Sequence, residues 1–250
     1  MKAPYLVTQL PDLESDSSSL WRYMDFTKFV STLEKSTLYF CRADCLGDPF
    51  EGSYPRANTP IREDLKRQLE ELAGQDEGVK YLKLTSDSNR FIRKITFLNC
   101  WHVSEFESAA MWRLYAKTNE AVAVRSTYRK LRTCLHEAII TRPIQYLDFD
   151  KEMIPETNKL FPFFFKRRSF EHEKELRAAV MSGPRSDLPF EGTKLEQGIH
   201  VKVDLRALIV RIMVAPSAPD WFLELVQSVA MEYGVSSEVA RSSLDEEPFF

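Results

Sequence analysis

The sequence predicts an α+β fold: a single domain with a central mixed or mostly antiparallel sheet and flanking helices. Three observations predict it. Short β-prone apolar runs recur along the chain, helix-start signals separate them, and the order is too irregular for repeated βαβ units. At 250 residues, 44% apolar and 28% charged, the chain can bury one full core without disulfide or metal staples.

Residues 1–19 read as a flexible arm, since Ser15–Ser19 is polar and Pro4 and Pro11 discourage regular structure. Leu20–Met24 is the first strand of the domain, which spans 20–244. Asp25 is placed to cap a helix whose apolar residues Phe26, Phe29, Val30 and Leu33 follow the 0, 3, 4, 7 spacing. Thr37–Cys41 is the next strand. In Asp48-Pro49-Phe50-Glu51, Asp48 reads as an N-cap, Pro49 as the first helical residue and Glu51 as the third, a structural capping box. A polar helix follows from Glu63 to Leu72, with Gly74 near its end, and then a strand, Phe97–His102. Ser104-Glu105-Phe106-Glu107 reads as a second capping box, opening a helix that carries Met111, Trp112, Tyr115 and Ala116.

Ala121–Val124 is a buried strand and Ser126–Leu135 a short basic helix. Ala138–Leu147 reads as strand broken at Pro143, and 150–162 as a helical connection. Strands are expected at 175–181, 199–203 and 208–214. Asp220 is placed to cap a helix with Phe222, Leu225, Val226, Val229 and Tyr233 on one face, ended by Gly234. Residues 245–250 form an acidic tail.

Composition narrows the function. A net charge of -3 gives no global attraction for nucleic acid, although local basic patches leave a nucleic-acid or protein partner open. Eight glycines fall well under the usual ~7%, and no Gly-rich nucleotide loop or Gly-x-Ser-x-Gly elbow is present. No apolar run nears the ~18 residues that would span a bilayer, so a cytoplasmic location without membrane contact is expected. Cys41, Cys45, Cys100 and Cys134 lack a paired spacing and read as reduced thiols. Cys41, Cys45 and Cys100 with His102 have zinc-ligand chemistry but match no structural zinc spacing, so no metal is assigned.

The segment Lys166 to Arg177 carries the strongest chemical signal. In an extended chain Glu171, Glu173, Glu175 and Arg177 share one face, where like charges need a compensating partner or ligand. Glu173 and Glu175 are the catalytic candidates. Arg22, Tyr23, Trp112, Tyr115, Lys166 and Arg177 are the candidate ligand-binding residues. Plainer accounts stand beside these: salt bridges for the acidic run, and core packing for the Met111, Trp112 and Tyr115 stripe.

Leu20-Trp21-Arg22-Tyr23, Leu46-Gly47-Asp48-Pro49-Phe50-Glu51-Gly52, Cys100-Trp101-His102, Met111-Trp112-x-x-Tyr115-Ala116, Lys166 and Glu173-x-Glu175-x-Arg177, in that order, resemble a prokaryotic family known only as a domain of unknown function. The resemblance covers roughly 20–244. Gly47 stands where that family usually has Asn, and Arg22-Tyr23 where it has Lys-Tyr. More distantly, the chain is similar to ADP-ribosyltransferase-like proteins. That likeness implies NAD as the nucleotide, Arg22 on its diphosphate and Glu175 on its ribose hydroxyls. The expected activity is NAD-dependent ADP-ribosyl transfer or NAD cleavage. Two alternatives stay open. One is a non-catalytic nucleotide- or peptide-binding sensor in phage defence or stress response. The other is a metal-dependent nuclease using Asp48, Glu51, Glu173 and Glu175 with Lys166.

Overall fold

β-branched and aromatic runs form strands here, and ten of these strands join one mixed, mostly antiparallel sheet at the centre of a single α+β domain. The computed structural model describes residues 5–6, 10–116, 118–182, 190–191 and 197–250. In chain order the strands are β1 (Tyr5–Leu6), β2 (Ser19–Asp25), β3 (Thr37–Arg42), β4 (Thr96–Val103), β5 (Ala121–Thr127), β6 (Ile140–Pro143) and β7 (Gln145–Leu147). They continue with β8 (Glu152–Met153), β9 (Phe165–Arg167), β10 (Glu175–Met181), β11 (Phe190–Glu191), β12 (Gly198–Lys202), β13 (Arg211–Val214) and β14 (Glu238–Arg241). The helices are α1 (Phe26–Lys35), α2 (Thr59–Ala73), α3 (Gln75–Ile95), α4 (Ala109–Tyr115), α5 (Tyr128–Cys134), α6 (Leu205–Leu208) and α7 (Asp220–Glu232). Among the described residues no helix is long and apolar enough to cross a membrane.

The sheet order is β11-β12-β3-β4-β2-β5-β13-β14, with β10 pairing β4 and β6. The predicted strands at 20–24, 37–41, 97–102, 121–124, 176–181 and 209–214 all lie in it. Its centre is β4. One edge of β4 pairs with β10 along its whole length, from Glu175↔His102 to Met181↔Thr96. The other edge is shared. There β2 pairs only with His102 and Val103, and β3 only with Phe97 and Leu98. Asn99, Cys100 and Trp101 therefore have no strand partner on that side, and the sheet opens between β2 and β3.

One face of the sheet carries the main core. Leu20, Val122, Val124, Leu176, Ala178 and Val180 pack there against Phe29 and Leu33 of α1, Leu131 of α5, and Phe222 and Val226 of α7. On the opposite face, Trp21, Tyr23, Ala121 and Ala123 hold Met111 and Trp112 of α4. A second cluster on that face joins Leu98 and Ala179 to Leu160, Phe163 and Phe164. Pairing in register places Cys100, His102, Glu175 and Arg177 between these two apolar clusters.

Several local expectations are corrected. No helix begins at Pro49. Asp48 instead closes a turn, its Oδ1 accepting from the Phe50 N–H at 3.0 Å. Glu51 makes no capping bond and turns inward to Arg177. α4 begins at Ala109, capped by Ser108 rather than Ser104, while Glu105 accepts from the hydroxyl of Ser19. Asp25 precedes α1 without a side-chain cap bond and pairs with Lys28. Asp220 lies within α7, with Pro219 at the cap, and binds Arg241. The 150–162 connection holds the short strand β8 rather than a helix. α3 fills 75–95, where no long helix was expected. Of the arm, residues 1–4 and 7–9 lie outside the described residues. Asp12 accepts from the hydroxyl of Tyr128, and the carbonyls of Asp16 and Ser18 accept from Arg129 and Tyr128.

Candidate functional site

The opening between β2 and β3 holds a cavity of about 560 Å³, within the size range of small-molecule sites. Of the predicted site residues, Arg22, Tyr23, Tyr115, Glu173 and Glu175 line it. Side chains replace the absent ladder at its floor. Asn99 Nδ2 and Arg22 Nη2 both donate to the Tyr39 carbonyl, at 2.9 and 3.2 Å, and Trp101 Nε1 donates to Asn99 Oδ1 at 2.7 Å.

Arg22 forms one wall because β2 pairs with β5 on one side and has no strand partner beside it at the opening. Its guanidinium lies 5.9 Å from the Trp101 ring centroid. Nη1 is shielded from solvent and has no hydrogen-bond partner among the described residues. Burial pushes the guanidinium below its ordinary pKa, with Cys100, Tyr115 and Cys41 acting the other way. An unpartnered cation of this kind is costly unless an anion completes it.

The opposite wall is an ion cluster. β10 starts at Glu175, so Glu175 and Arg177 project to the same face. Arg177 is wholly buried and Glu175 is 5% exposed. Arg177 grips Glu175 with Nε and Nη2, at 2.8 and 3.0 Å, in a bidentate pair. It also donates to both oxygens of Glu51 and to the Phe163 carbonyl. Lys166, presented by β9, reaches Glu173 at 2.5 Å and Glu175 at 2.9 Å. Burial alone would raise the Glu175 carboxyl, but Arg177 and Lys166 outweigh it and hold the group down at about 2. For Glu173 burial prevails over Lys166, and its pKa rises.

Glu173 does not enter by strand alternation. Residues 168–173 form a 3-10 turn, and Lys174 takes left-handed backbone, φ 39°, before the strand begins. Glu171 stays exposed, so the expected row of three glutamates is reduced to two. Glu173 Oε2 accepts from Lys166, and Oε1 has no donor among the described residues.

The remaining predicted residues stand behind the cavity. Trp112 is buried, its ring 4.9 Å from that of Tyr23, with Nε1 donating to Glu107 at 3.1 Å. Lys166 and Arg177 support the glutamates. Asp48 accepts from Arg167 at 2.8 Å and does not line the cavity. Burial raises the phenols of Tyr115 and of Tyr23, the latter to about 12, so both remain neutral donors at pH 7. Trp101, Met111, His102 and His200 line the cavity too; the sequence offered Trp101 as a stacking ring, Met111 as core packing and His102 as a zinc-type ligand, and gave no signal for His200. His102 sat beside Cys100 at strand spacing, and that was the available signal. Among the described residues no group of three or more His, Cys, Asp or Glu side chains is placed to hold a metal ion. The four cysteines are free thiols.

Chemically, one wall offers a guanidinium with no carboxylate partner among the described residues and Nη1 open. The other sets three carboxylates, Glu51, Glu173 and Glu175, against two cations, Lys166 and Arg177, a surplus of one negative charge when all are ionised. Aromatic rings lie between them.

No protein-family model matches the chain, and no curated protein matches it in sequence. A structural comparison pairs it with a solved structure described as Thermus sp. 2.9 DarT in complex with carba-NAD+. That likeness covers 93% of this chain and 100% of the other, at 8% sequence identity and a TM-score of 0.39. At that identity and score it carries no argument for the fold or the chemistry.

Proposed function

We propose that the cavity binds NAD and that the chain transfers ADP-ribose from it to an acceptor, or to water as NAD cleavage. One observation carries this reading. A guanidinium with one buried nitrogen, Nη1, unpartnered among the described residues and a surplus carboxylate charge face one cavity with aromatic walls. NAD has the matching polarity: an anionic diphosphate, a flat aromatic ring, and a ribosyl carbon that gains positive charge as its bond to nicotinamide weakens.

Arg22 would take the diphosphate, completing its open Nη1. Tyr115 and Trp101 offer faces or edges for the nicotinamide ring. Glu173, with Oε1 open, and Glu175 would hold ribose hydroxyls. Their surplus charge would favour the transition state over the ground state, because it is fixed before the reaction and lies out of bulk water. Arg177 and Lys166 keep that charge in place.

A non-catalytic nucleotide sensor would use the same cavity, and binding without turnover would select it. The nuclease reading is less well supported, because Asp48 is tied to Arg167 and Glu51 to Arg177. The test pairs calorimetric titration with NAD and an assay for released nicotinamide. Saturable one-to-one binding with turnover is expected, with turnover lost in Glu173→Gln and binding retained. No heat and no nicotinamide from the wild type would sink the reading.

A further inference from the structure

We propose that His102 is the general base of this site: its Nδ1–H is committed to the Glu173 carbonyl, and its bare Nε2 takes the proton of the group that attacks the ribosyl carbon. The proposal rests on the NAD reading above and assigns it a catalytic residue.

His102 Nδ1 lies 2.6 Å from the backbone oxygen of Glu173. A carbonyl oxygen can only accept, so Nδ1 carries the hydrogen. A neutral imidazole has one N–H, so Nε2 carries the lone pair. Nε2 has no hydrogen bond to a described residue, and the ring lines the cavity. The ring is 5% exposed and fixed on a second side by Tyr23, whose ring centroid lies 6.3 Å away. Left-handed backbone at Lys174 makes this geometry available: the Glu173 carbonyl turns to His102 while the Lys174 carbonyl accepts from the Val103 N–H at 2.9 Å.

The groups facing the ring come from several elements. Glu175 lies opposite it in register on β10, Glu173 and Lys174 precede that strand, and Lys166 stands on β9. Tyr23 comes from β2 and Tyr115 from α4. Burial lowers the pKa of the ring, the Glu173 carbonyl opposes that, and Lys174 reinforces it. The imidazole is therefore neutral at pH 7. The carboxylates are poorer bases. Both oxygens of Glu175 are taken by Arg177 and Lys166, and Glu173 is tied to Lys166 through Oε2 and gives its open Oε1 to a ribose hydroxyl in the reading above. A base working near neutral pH needs an available lone pair, and the neutral imidazole offers one at Nε2.

The step balances. A lone pair on the acceptor's oxygen or nitrogen forms a bond to C1′ of the ribose. The C1′–N bond breaks, and its electron pair leaves with nicotinamide, which departs neutral. The acceptor's proton passes to His102 Nε2 and from there to solvent.

The test uses His102→Asn, whose side-chain N–H can occupy the place of Nδ1–H while no base remains, with His102→Gln as a second variant. NAD affinity by calorimetry and nicotinamide release across pH 5–8 are measured for each and for the wild type. Expected are NAD affinity within about threefold of the wild type, turnover lower by roughly 10²–10⁴-fold, and loss of the acidic limb of the pH profile. Turnover within about threefold and an unchanged acidic limb would overturn the proposal and leave the NAD reading standing. A wild type that neither binds nor cleaves NAD would bring down both. Imidazole nitrogen NMR of the unaltered protein needs no variant to fold: the Nδ1–H tautomer at pH 7 supports the proposal, and the Nε2–H tautomer refutes it.

Discussion

Arg177→Met removes the central guanidinium and keeps an unbranched apolar chain in its place. Arg177 is wholly buried and donates to Glu175, Glu51 and the Phe163 carbonyl. Without it Glu51 loses both of its side-chain bonds, and the Glu175 carboxylate keeps Lys166 as its one charged partner, beside the Cys100 thiol. Breaking a buried pair by removing one partner costs about 3–5 kcal/mol, and here two carboxylates lose the same cation. A domain of 150–250 residues shifts by about 2–4 °C per kcal/mol, so Tm should fall by roughly 6–20 °C at pH 7. The pH dependence gives an independent check. In the wild type Glu175 is held near 2, below its ordinary 4.5, so its stabilisation is present above pH 4.5 and is lost as pH falls toward 2. In the variant the Glu175 carboxyl loses the stronger of the two cations that hold it down, so its pKa should rise. The cost of its burial then appears at neutral pH and shrinks as it takes up a proton in acid. Circular-dichroism melts at pH 7 and pH 4.5 would read both effects. A variant melting within about 2 °C of the wild type at pH 7, or a deficit that widens at pH 4.5, would refute this account of the cluster.

Three further outcomes follow from the same geometry. Glu175→Gln sets an amide N–H among the Arg177 and Lys166 donors and should cost about 1–3 kcal/mol in urea melts, whereas the more open Glu173→Gln should melt within about 2 °C of the wild type. Equal destabilisation by both would contradict the division between them. Arg22→Met removes the unpartnered Nη1 together with the Nη2 bond to the Tyr39 carbonyl, two opposing effects, so its Tm should stay within about 4 °C of the wild type while NAD affinity falls at least tenfold, about 1.4 kcal/mol; a Tm lower by more than that with full affinity would reverse its role. Gly52 has φ +66°, and a Cβ there would meet the Phe163 ring at 2.2 Å, so Gly52→Ala should destabilise by about 1–3 kcal/mol in the same melts. Wild-type stability would show that the ring moves freely.

The strands were legible because each buries a short apolar run whose composition has few other uses, as in Ala121–Val124 and Leu176–Met181. The helix starts were less so. Asp48-Pro49-Phe50-Glu51 has every residue of a capping box, yet Arg177 and Arg167 claim its two carboxylates, and distant partners prevail over a local bond of about 1 kcal/mol. α3 escaped notice because only Gly78 of its 21 residues is buried, so no apolar stripe marks it. Within the site, Arg22 and Glu175 could be named from spacing and resemblance, but their meeting in one cavity depends on how β2 and β3 divide one edge of β4. His102 was read only for zinc-ligand chemistry, because its place in the site depends on a carbonyl 71 positions away in sequence.

That divided edge also bears on how the cleft can change over generations. A regular ladder is held by main-chain groups that every residue except proline supplies, so its spacing is nearly indifferent to substitution. At the floor of this cleft the equivalent ties are Asn99 and Arg22 reaching the Tyr39 carbonyl, and Trp101 reaching Asn99. The width of the opening is thus written in side chains. Single substitutions at these positions can retune it while the strands on either side keep their register, which separates the tuning of ligand fit from the upkeep of the sheet.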